Sequence, residues 1–456
     1  MMLFILLPSH RALIWSVLGA YLVLPVSTAF ELPGVPPLDK TTISNLSILL
    51  CCTLFVREKW LGALKDPAVV LLSIAFVFSP FFTALFNTNS LLYADLLIPA
   101  MTMYDAFAQA AINSITLIPF VAAYGLINSD HRRWQGIAIL VTAALAYSVL
   151  MLIEVRLSPQ LHRLIYGFFP HDFNQQMRGG GFRPVVFLGH GLLVAIFCAI
   201  AATAAIARWR EARGRQRARA GLTAVYFGIV LLLCKSVGAI ILTALFAPIV
   251  AFLRAKRIAA ISAAACIIVL LYPAIRSTGF VPTVTISELT NSISTDRAGS
   301  LSVRLSNEDR LLKRAAEKPM FGWGSWGRNR IYSAETGRDE SVTDGAWIIV
   351  LGMWGWMGYI STFGLLSLGS VYVLLDSKKR KSVSIASAML LTVLAINLLD
   401  SIPNASVKPI TWLVAGIVAA IAGKEMKAKE NSSFEHVQEK IRRYDIAKNF
   451  GASLDA

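Results

Sequence analysis

Charged residues are scarce in this chain of 456 residues, because Asp, Glu, Lys and Arg together make up only 15% of it. A soluble domain carries about 25%, whereas here apolar residues reach 56% and the mean hydropathy is +0.61. This composition excludes an ordinary soluble protein of two or three domains. Cysteine is also rare, and its positions within apolar runs argue against a disulfide framework or a thiolate metal site. The cysteines are Cys51, Cys52, Cys198, Cys234 and Cys266.

Motifs for nucleotide and metal binding are missing as well. The sequence has no GxxxxGK(S/T), no HExxH and no Cys/His spacing typical of a metal site, so we expect no nucleotide, no metal and no other cofactor. The net charge of +16 has no basic globular domain to carry it, so a nucleic-acid partner is not expected. No internal repeat is evident, which argues against a repeat-built transporter. No small-residue cleavage site follows the first apolar run, which we interpret as a membrane span rather than a signal peptide.

Long apolar runs are what the chain has in abundance. They are about 17 to 25 residues long, enough to cross a hydrocarbon core of about 30 Å. The sequence predicts an all-α, polytopic integral membrane protein with about twelve transmembrane helices, formed by residues 1–423, and a charged tail over residues 424–456. The candidate spans are residues 12–29, 42–56, 67–87, 107–128, 136–154, 186–207, 221–235, 238–253, 258–275, 346–375, 382–399 and 409–423.

Basic residues in the short loops orient these spans. Lys and Arg follow the second, fourth, sixth, eighth and tenth spans, so every second loop is predicted to be cytoplasmic, as are both termini. Two loops on the other side are basic too, residues 155–185 and the large loop 276–345 before the last three spans. Topology does not require positive charge there. We therefore expect an anionic ligand near the outer membrane surface.

A glycine-rich segment, residues 177–184, contains Arg178 and Arg183 just before the sixth span. Its three glycines permit close backbone approach, and guanidinium groups bind phosphate or pyrophosphate oxygens in pairs. The alternative is a flexible loop with solvated arginines. His190, inside the predicted span, is either a proton carrier or, as we favour, a packing residue. Lys235 separates two apolar runs, and we expect it at the outer interface within the same anion site.

The large loop is predicted to contain a helix followed by a segment rich in Gly and Trp. Ser306 and Asp309 resemble a capping box, so the helix is expected to begin at Ser306 and to end by Pro319. Beyond it, Trp323 lies between glycines and is suited to stacking on a sugar ring or to the membrane interface. Arg328 adds positive charge beside these rings.

Two further arginines of that helix, Arg310 and Arg314, are four residues apart and share one face. This spacing suits a two-pronged grip on an anion. The alternative, which is the better one for this segment taken alone, is an exposed helix with pairs such as Asp309 with Lys313 or Arg314 with Glu317.

Asp344 precedes the tenth predicted span in the segment 341–347. A carboxylate at the mouth of a span, facing an arginine-rich loop, is placed to deprotonate an acceptor hydroxyl. Asp is also an ordinary helix N-cap residue, so a purely structural role stays open.

In combination, these elements resemble the bacterial O-antigen ligase and O-antigen polymerase superfamily over nearly the whole chain. The resemblance rests on the order of short motifs and on the predicted topology. The motifs are Arg-x-x-Gly-Phe at 178–182, Lys-Ser-x-Gly-Ala at 235–239, Arg304, Pro-x-Phe-Gly-Trp-Gly at 319–324 and Leu-Gly-x-x-Gly at 351–355.

The resemblance implies a metal-independent, inverting glycosyltransferase of the bacterial inner membrane, with its active site facing the periplasm. Its donor would be an undecaprenyl-pyrophosphate-linked glycan, and its other partners membrane lipids and polysaccharide export proteins. Arg178 with Arg183 or Arg304 would hold the pyrophosphate. Asp344, or alternatively His190, would act as the base. The further substrate-binding candidates are Lys235, Arg310, Arg314, Trp323 and Arg328.

O-antigen ligases carry a histidine-containing motif where this chain has Asp344. That departure favours an exopolysaccharide or O-antigen polymerase over the alternative, a ligase that moves the glycan to a lipid or another acceptor. The rival from another class is a transporter or flippase for lipid-linked sugars, which would carry charges inside its spans. A non-catalytic partner of a polysaccharide export complex is a further alternative.

Overall fold

A computed structural model of the protein describes residues 1–31, 36–178, 180–279, 295–376, 383–405 and 407–421, without the side chains of 295–301. The predicted tail, 424–456, lies outside the described residues, as does Gly179 of the glycine-rich segment.

The described chain is mainly helical, and its strands are few and short. Its α-helices are α1 Met2–Leu6, α2 Ser9–Val23, α3 Lys40–Phe55, α4 Pro67–Leu85, α5 Met103–Leu126, α6 Asp130–Leu157, α7 Leu161–Tyr166, α8 Gly191–Glu211, α9 Gly214–Leu233, α10 Val237–Phe252, α11 Ala255–Ser277, α12 Thr295–Ala316, α13 Ala346–Leu375, α14 Ile385–Asp400 and α15 Pro409–Ile421. Short 3-10 helices span Trp60–Lys65 and Phe173–Gln176.

In the loops that the structure describes there are three two-stranded antiparallel hairpins. They are β1 Ala29–Phe30 with β2 Leu38–Asp39, β3 Leu91–Tyr93 with β4 Leu96–Ile98, and β5 Met177–Arg178 with β6 Gly181–Phe182. In the third hairpin, Met177 pairs with Phe182 and Arg178 with Gly181.

Among the described residues, six helices are long and apolar enough to cross a membrane, namely α4, α5, α6, α8, α11 and α13. Shorter apolar helices are α3, α10, α14 and α15. The protein is therefore membrane-embedded. Each predicted span coincides with a helix, although some bounds differ. The first predicted span extends to residue 29, whereas α2 ends at Val23; the sixth was expected from residue 186, whereas α8 begins at Gly191.

Side-chain caps begin several of these helices. Asp39 Oδ1 accepts hydrogen bonds from the first N–H groups of α3, and Asp66 caps α4, where Pro67 follows at the first helical position. Thr102 and Asp105 form a reciprocal capping box at the start of α5. These polar residues satisfy backbone donors that an apolar helix end would leave without partners.

The alanine-rich helix α8 lies at the centre of the bundle, where small side chains permit close helix packing. It packs against α6, α9, α10 and α14, and it is buried along nearly its whole length. Helix α4 is the opposite case, because one of its faces carries exposed large apolar side chains at helical spacing. These are Leu71, Ile74, Phe78, Phe82 and Leu85, the pattern expected of a lipid-facing surface.

Helix α13 is interrupted at Gly355, whose φ is +61°. The Pro-x-Phe-Gly-Trp-Gly segment docks into this interruption. Trp323 N–H donates to the Gly352 carbonyl at 2.9 Å, and Trp356 N–H donates to the Pro319 carbonyl at 2.8 Å. The break leaves backbone N–H and C=O groups of α13 without partners in their own helix. The loop supplies hydrogen-bond partners for these groups and is thereby attached to α13.

Candidate functional site

The β5–β6 hairpin holds the glycine-rich segment against the turn between α9 and α10. Lys235 lies in that turn with φ +50°, and its Nζ donates a hydrogen bond to the Arg178 carbonyl at 2.8 Å. Gly180 has φ +68°, and a Cβ on Gly181 would lie 2.6 Å from Lys235 Nζ. The structure therefore brings Arg178 and Lys235 together, and a side chain at position 181 would displace the end of the Lys235 side chain.

Arg183 is the buried cation of this region, with only 2% of its surface exposed. Its Nε has no hydrogen-bond acceptor, and no acidic side chain pairs with it, among the residues that the structure describes. Burial, followed by the positive charge of Arg178, lowers the pKa of Arg183 to about 10. Gln176, whose carbonyl accepts from Arg183 N–H at 2.8 Å, has an equally unsatisfied Nε2. An anionic ligand would supply acceptors for these two buried donors, Arg183 Nε and Gln176 Nε2.

Glu154, near the end of α6, fixes the segment that follows Arg183. Its Oε2 accepts N–H bonds from Val185 and Val186, each at 2.7 Å, and its Oε1 accepts from Leu161 at 2.9 Å. Val186 has φ +48°, which a β-branched residue adopts only under strain. Glu154 was not predicted from the sequence, although a lone acid at the end of an apolar span before a basic loop was an available signal.

His190 does not lie inside a helix, contrary to the prediction. It is the N-cap of α8, and its Nδ1 accepts a hydrogen bond from Leu192 N–H at 3.0 Å. Burial first, then the nearby His171 ring and the charges of Arg183 and Arg178, lower the pKa of His190 to about 4. The imidazole is therefore neutral at pH 7, and with Nδ1 as acceptor the inferred tautomer carries its proton on Nε2.

A second set of charges joins α11, α12 and the start of α13. Arg304 Nε contacts Asp344 Oδ2 at 3.0 Å, and the exposed fractions of the two side chains are 42% and 35%. Asp344 is not a helix cap, because the N-cap of α13 is Gly345. The first N–H of that helix, from Ala346, donates instead to the carbonyls of Ser401 and Asn404, both at 3.0 Å. Asp344, the predicted base, thus contacts Arg304, which was predicted to bind the pyrophosphate.

Arg276, at the end of α11, contacts two acids of α12. Its Nη2 contacts Asp309 Oδ1 at 2.7 Å, and its Nε lies 3.6 Å from Glu308 Oε2. The side chains of Arg276 and Glu308 are only 6% and 12% exposed. Burial raises the pKa of Glu308 to about 7, although Arg276 opposes the shift. Neither Arg276 nor Glu308 was predicted from the sequence. The available signal for Glu308 was its four-residue spacing from Arg304, which places the two residues on one face of the helix.

Helix α12 begins at Thr295, well before the start predicted at Ser306. The Ser306–Asp309 pattern is therefore no capping box, and Asp309 pairs with Arg276 rather than Lys313. The helix ends at Ala316, before Pro319, as expected.

Arg310 and Arg314 do not form a shared anion grip in this structure. Arg310 Nη2 contacts Glu340 at 2.8 Å, and Arg314 Nη1 contacts Glu317 at 2.7 Å. The intrahelical Arg314–Glu317 pair is the alternative that the sequence analysis preferred. Since each guanidinium already has an acidic partner, the two arginines offer less free charge than the spacing suggested.

Arg328 and Trp323 are tied to the loop itself. Arg328 is 1% exposed, and its guanidinium donates to the carbonyls of Pro99 at 2.6 Å and Asn89 at 2.9 Å. Trp323 Nε1 donates to the Arg314 carbonyl at 2.7 Å, while the Arg314 guanidinium lies 3.3 Å from the indole ring centroid. With donors and ring face occupied, this geometry does not support substrate binding by Arg328 or Trp323.

The candidate residues thus form three sets. The glycine-turn set is Arg178, Arg183, His190 and Lys235; the Arg304 set is Arg276, Arg304, Glu308, Asp309 and Asp344; the tryptophan set is Arg314, Trp323 and Arg328. No protein-family model matches the sequence, and no curated protein matches it either. A function for the chain must therefore be argued from these residues.

Proposed function

We propose that the protein is an exopolysaccharide or O-antigen polymerase of the bacterial inner membrane. In this proposal it transfers a glycan from a polyprenyl-pyrophosphate carrier to the end of another glycan at the periplasmic face. The observation that carries the proposal is the buried Arg183, which has no acidic partner among the described residues and lies beside Arg178. Buried guanidinium groups without counter-ions are suited to a multiply charged leaving group.

The proposal includes about twelve spans with both termini in the cytoplasm. Contacts between loops support this arrangement. Among the loops predicted to be inside, Arg132 contacts Glu58 at 2.6 Å and Ser384 donates to Asp130 at 2.7 Å. Among those predicted to be outside, the Lys235–Arg178 contact joins two loops distant in sequence.

In the proposed reaction, Arg183, Arg178 and Lys235 hold the pyrophosphate of the donor. As the bond between the anomeric carbon and the pyrophosphate oxygen breaks, its electron pair moves to the leaving group. Preorganised cations stabilise that charge where it develops, and water need not reorganise. The Nε2–H of His190, which lies near Arg183 and Arg178, adds one more donor. An acceptor hydroxyl attacking from the opposite face inverts the anomeric centre.

The position of Lys235 distinguishes this proposal from a transporter. Lys235, the last residue of the seventh predicted span, lies in the turn between α9 and α10. A flippase would be expected to place charges along its spans to accommodate a polar cargo. The lysine instead contacts the hairpin that carries Arg178.

The test is a glycan profile of a deletion strain complemented with wild type, Arg183→Gln or Arg163→Gln. Arg163 is an exposed arginine of the same loop and serves as the matched control. We expect single-repeat, lipid-linked glycan to accumulate in the deletion and in Arg183→Gln, with normal polymer in the control. Membrane levels of each variant are measured by immunoblotting.

Two other outcomes would contradict the proposal. Full-length polymer that stays on its lipid carrier would indicate a ligase. Normal glycan in the Arg183→Gln strain, despite a defect in the deletion, would indicate a transporter or a scaffold.

A further inference from the structure

Glu308 is a buried carboxylate with one oxygen, Oε2, that lacks a hydrogen bond of normal length to any described residue. Its Oε2 accepts none from the residues that the structure describes, although Arg276 Nε, which also lacks a hydrogen-bond partner there, lies 3.6 Å away. The nearby Asp309 takes the direct contact with Arg276, at 2.7 Å. Glu308 is thus ion-paired with Arg276 only at the longer distance, and its Oε2 can accept a hydrogen bond from another partner.

Asp344, the base expected from the sequence, is placed differently. Its Oδ2 contacts Arg304 Nε directly, at 3.0 Å. To accept a proton at that oxygen, Asp344 would first have to leave a charge-assisted contact. Arg304 and Glu308 lie one helical turn apart on α12, so the Asp344–Arg304 pair and Glu308 share one face of the site.

We propose that Glu308 removes the proton from the acceptor hydroxyl during glycan transfer. This inference rests on the proposed function. The hydroxyl O–H bond breaks and its proton goes to the Glu308 carboxylate. The hydroxyl oxygen then forms the bond to the anomeric carbon, and the bond from that carbon to the pyrophosphate oxygen breaks with its electron pair on the leaving group. The protonated Glu308 afterwards returns its proton to water.

The charges around Glu308 suit this role. Arg276 and Tyr272 face it from α11, Asp344 from the start of α13, and Arg304 and Asp309 from its own helix. Burial is the largest cause that raises the pKa of Glu308 to about 7; the carboxylates of Asp309 and Asp344 add to it, and Arg276 opposes it. A general base works best when its pKa lies near the working pH.

The experiment uses full-length protein in lipid nanodiscs and, as probe, the lipid-linked repeat extracted from the deletion strain. Product formation is measured between pH 5.5 and 9 at several probe concentrations. We expect the wild-type kcat to fall as the pH drops through about 7, because Glu308 then becomes protonated. Glu308→Gln is expected to lose at least about 100-fold in kcat with little change in KM.

Two variants separate catalysis from structure. Glu308→Asp keeps a carboxylate and is expected to recover part of kcat, with a shifted pH midpoint. Glu335→Gln removes an exposed carboxylate of the same loop and is expected to retain kcat and the wild-type pH profile. If Glu308→Gln kept the wild-type kcat and pH profile, or if Glu335→Gln matched its loss, Glu308 would not be the base. If wild-type protein did not lengthen the probe at all, the proposed polymerase function would fail with it.

Discussion

Replacing Glu154 by Gln is expected to loosen the segment that places Arg183. The carboxylate accepts three N–H bonds, from Leu161, Val185 and Val186, and only 1% of the residue is exposed. A glutamine amide offers one oxygen and one NH₂ group in the same space. In its better orientation the oxygen keeps the two valine bonds, while the NH₂ group is directed at the N–H of Leu161.

The magnitude follows from these contacts. One hydrogen bond to a charged acceptor is lost, which is worth about 1.5 to 3 kcal/mol, and the two that remain lose their charge assistance. We therefore expect the free energy of unfolding to fall by about 3 kcal/mol. Because Val186 is held at φ +48° by these bonds, it is expected to relax and to shift Arg183 with it. A displacement of about 1 Å at a positioning group reduces activity by about 100-fold.

The assay combines thermal unfolding of the detergent-solubilised protein with glycan profiling of the complemented deletion strain. Glu58→Gln is the control, since Glu58 is also an acid paired near a helix end, but its side chain is 41% exposed. Its ion pair with Arg132 is expected to contribute less than about 1 kcal/mol. The reasoning is refuted if Glu154→Gln unfolds at the wild-type temperature and supports a normal glycan profile.

Two further predictions concern α13 and α8. Gly355→Ala should lower the unfolding temperature by several degrees, because φ is +61° there and an added Cβ would overlap the Met320 carbonyl. The control Gly228→Ala should leave the unfolding temperature unchanged, because no atom lies within 4 Å of the added Cβ. His190→Asn keeps a strong N-cap but cannot titrate. The pKa of His190 is about 4 when folded and about 6.5 when unfolded, so wild type should lose stability from pH 6.5 down to 4. Unfolding temperatures measured across that range should fall more steeply for wild type than for His190→Asn, and parallel curves would contradict the assignment.

The helices themselves were predictable from local sequence. An apolar run long enough to cross a membrane must satisfy its backbone internally, and only a helix does so within one segment. The errors occurred where apolar residues are not helical. Residues 185–189 are apolar and buried, yet the N–H groups of Val185, Val186 and Phe187 bond to side chains of α6, with Phe187 N–H donating to Tyr147 Oη at 3.0 Å. The sixth span was therefore predicted from composition to begin at residue 186, before the true start of α8 at Gly191.

The glycine-rich loop at residues 177–184 was also evident locally, because close backbone approach requires glycine, but the β5–β6 hairpin that it forms was not predicted. The break in α13 was only suggested by Gly352 and Gly355. Its partner, the Pro319–Gly324 segment, is distant enough in sequence that no periodicity indicates where it docks.

By itself, the sequence determined which segments are helical, where positive charge accumulates and which loop is glycine-rich, since these depend on composition and short-range spacing. Only the tertiary structure decided which charges are paired. It joined Arg304 to Asp344 and Arg310 to Glu340, and it buried Arg183 without an acidic partner among the described residues. The physical reason is that ion pairing and desolvation depend on which distant segments pack together, and local sequence does not encode that packing.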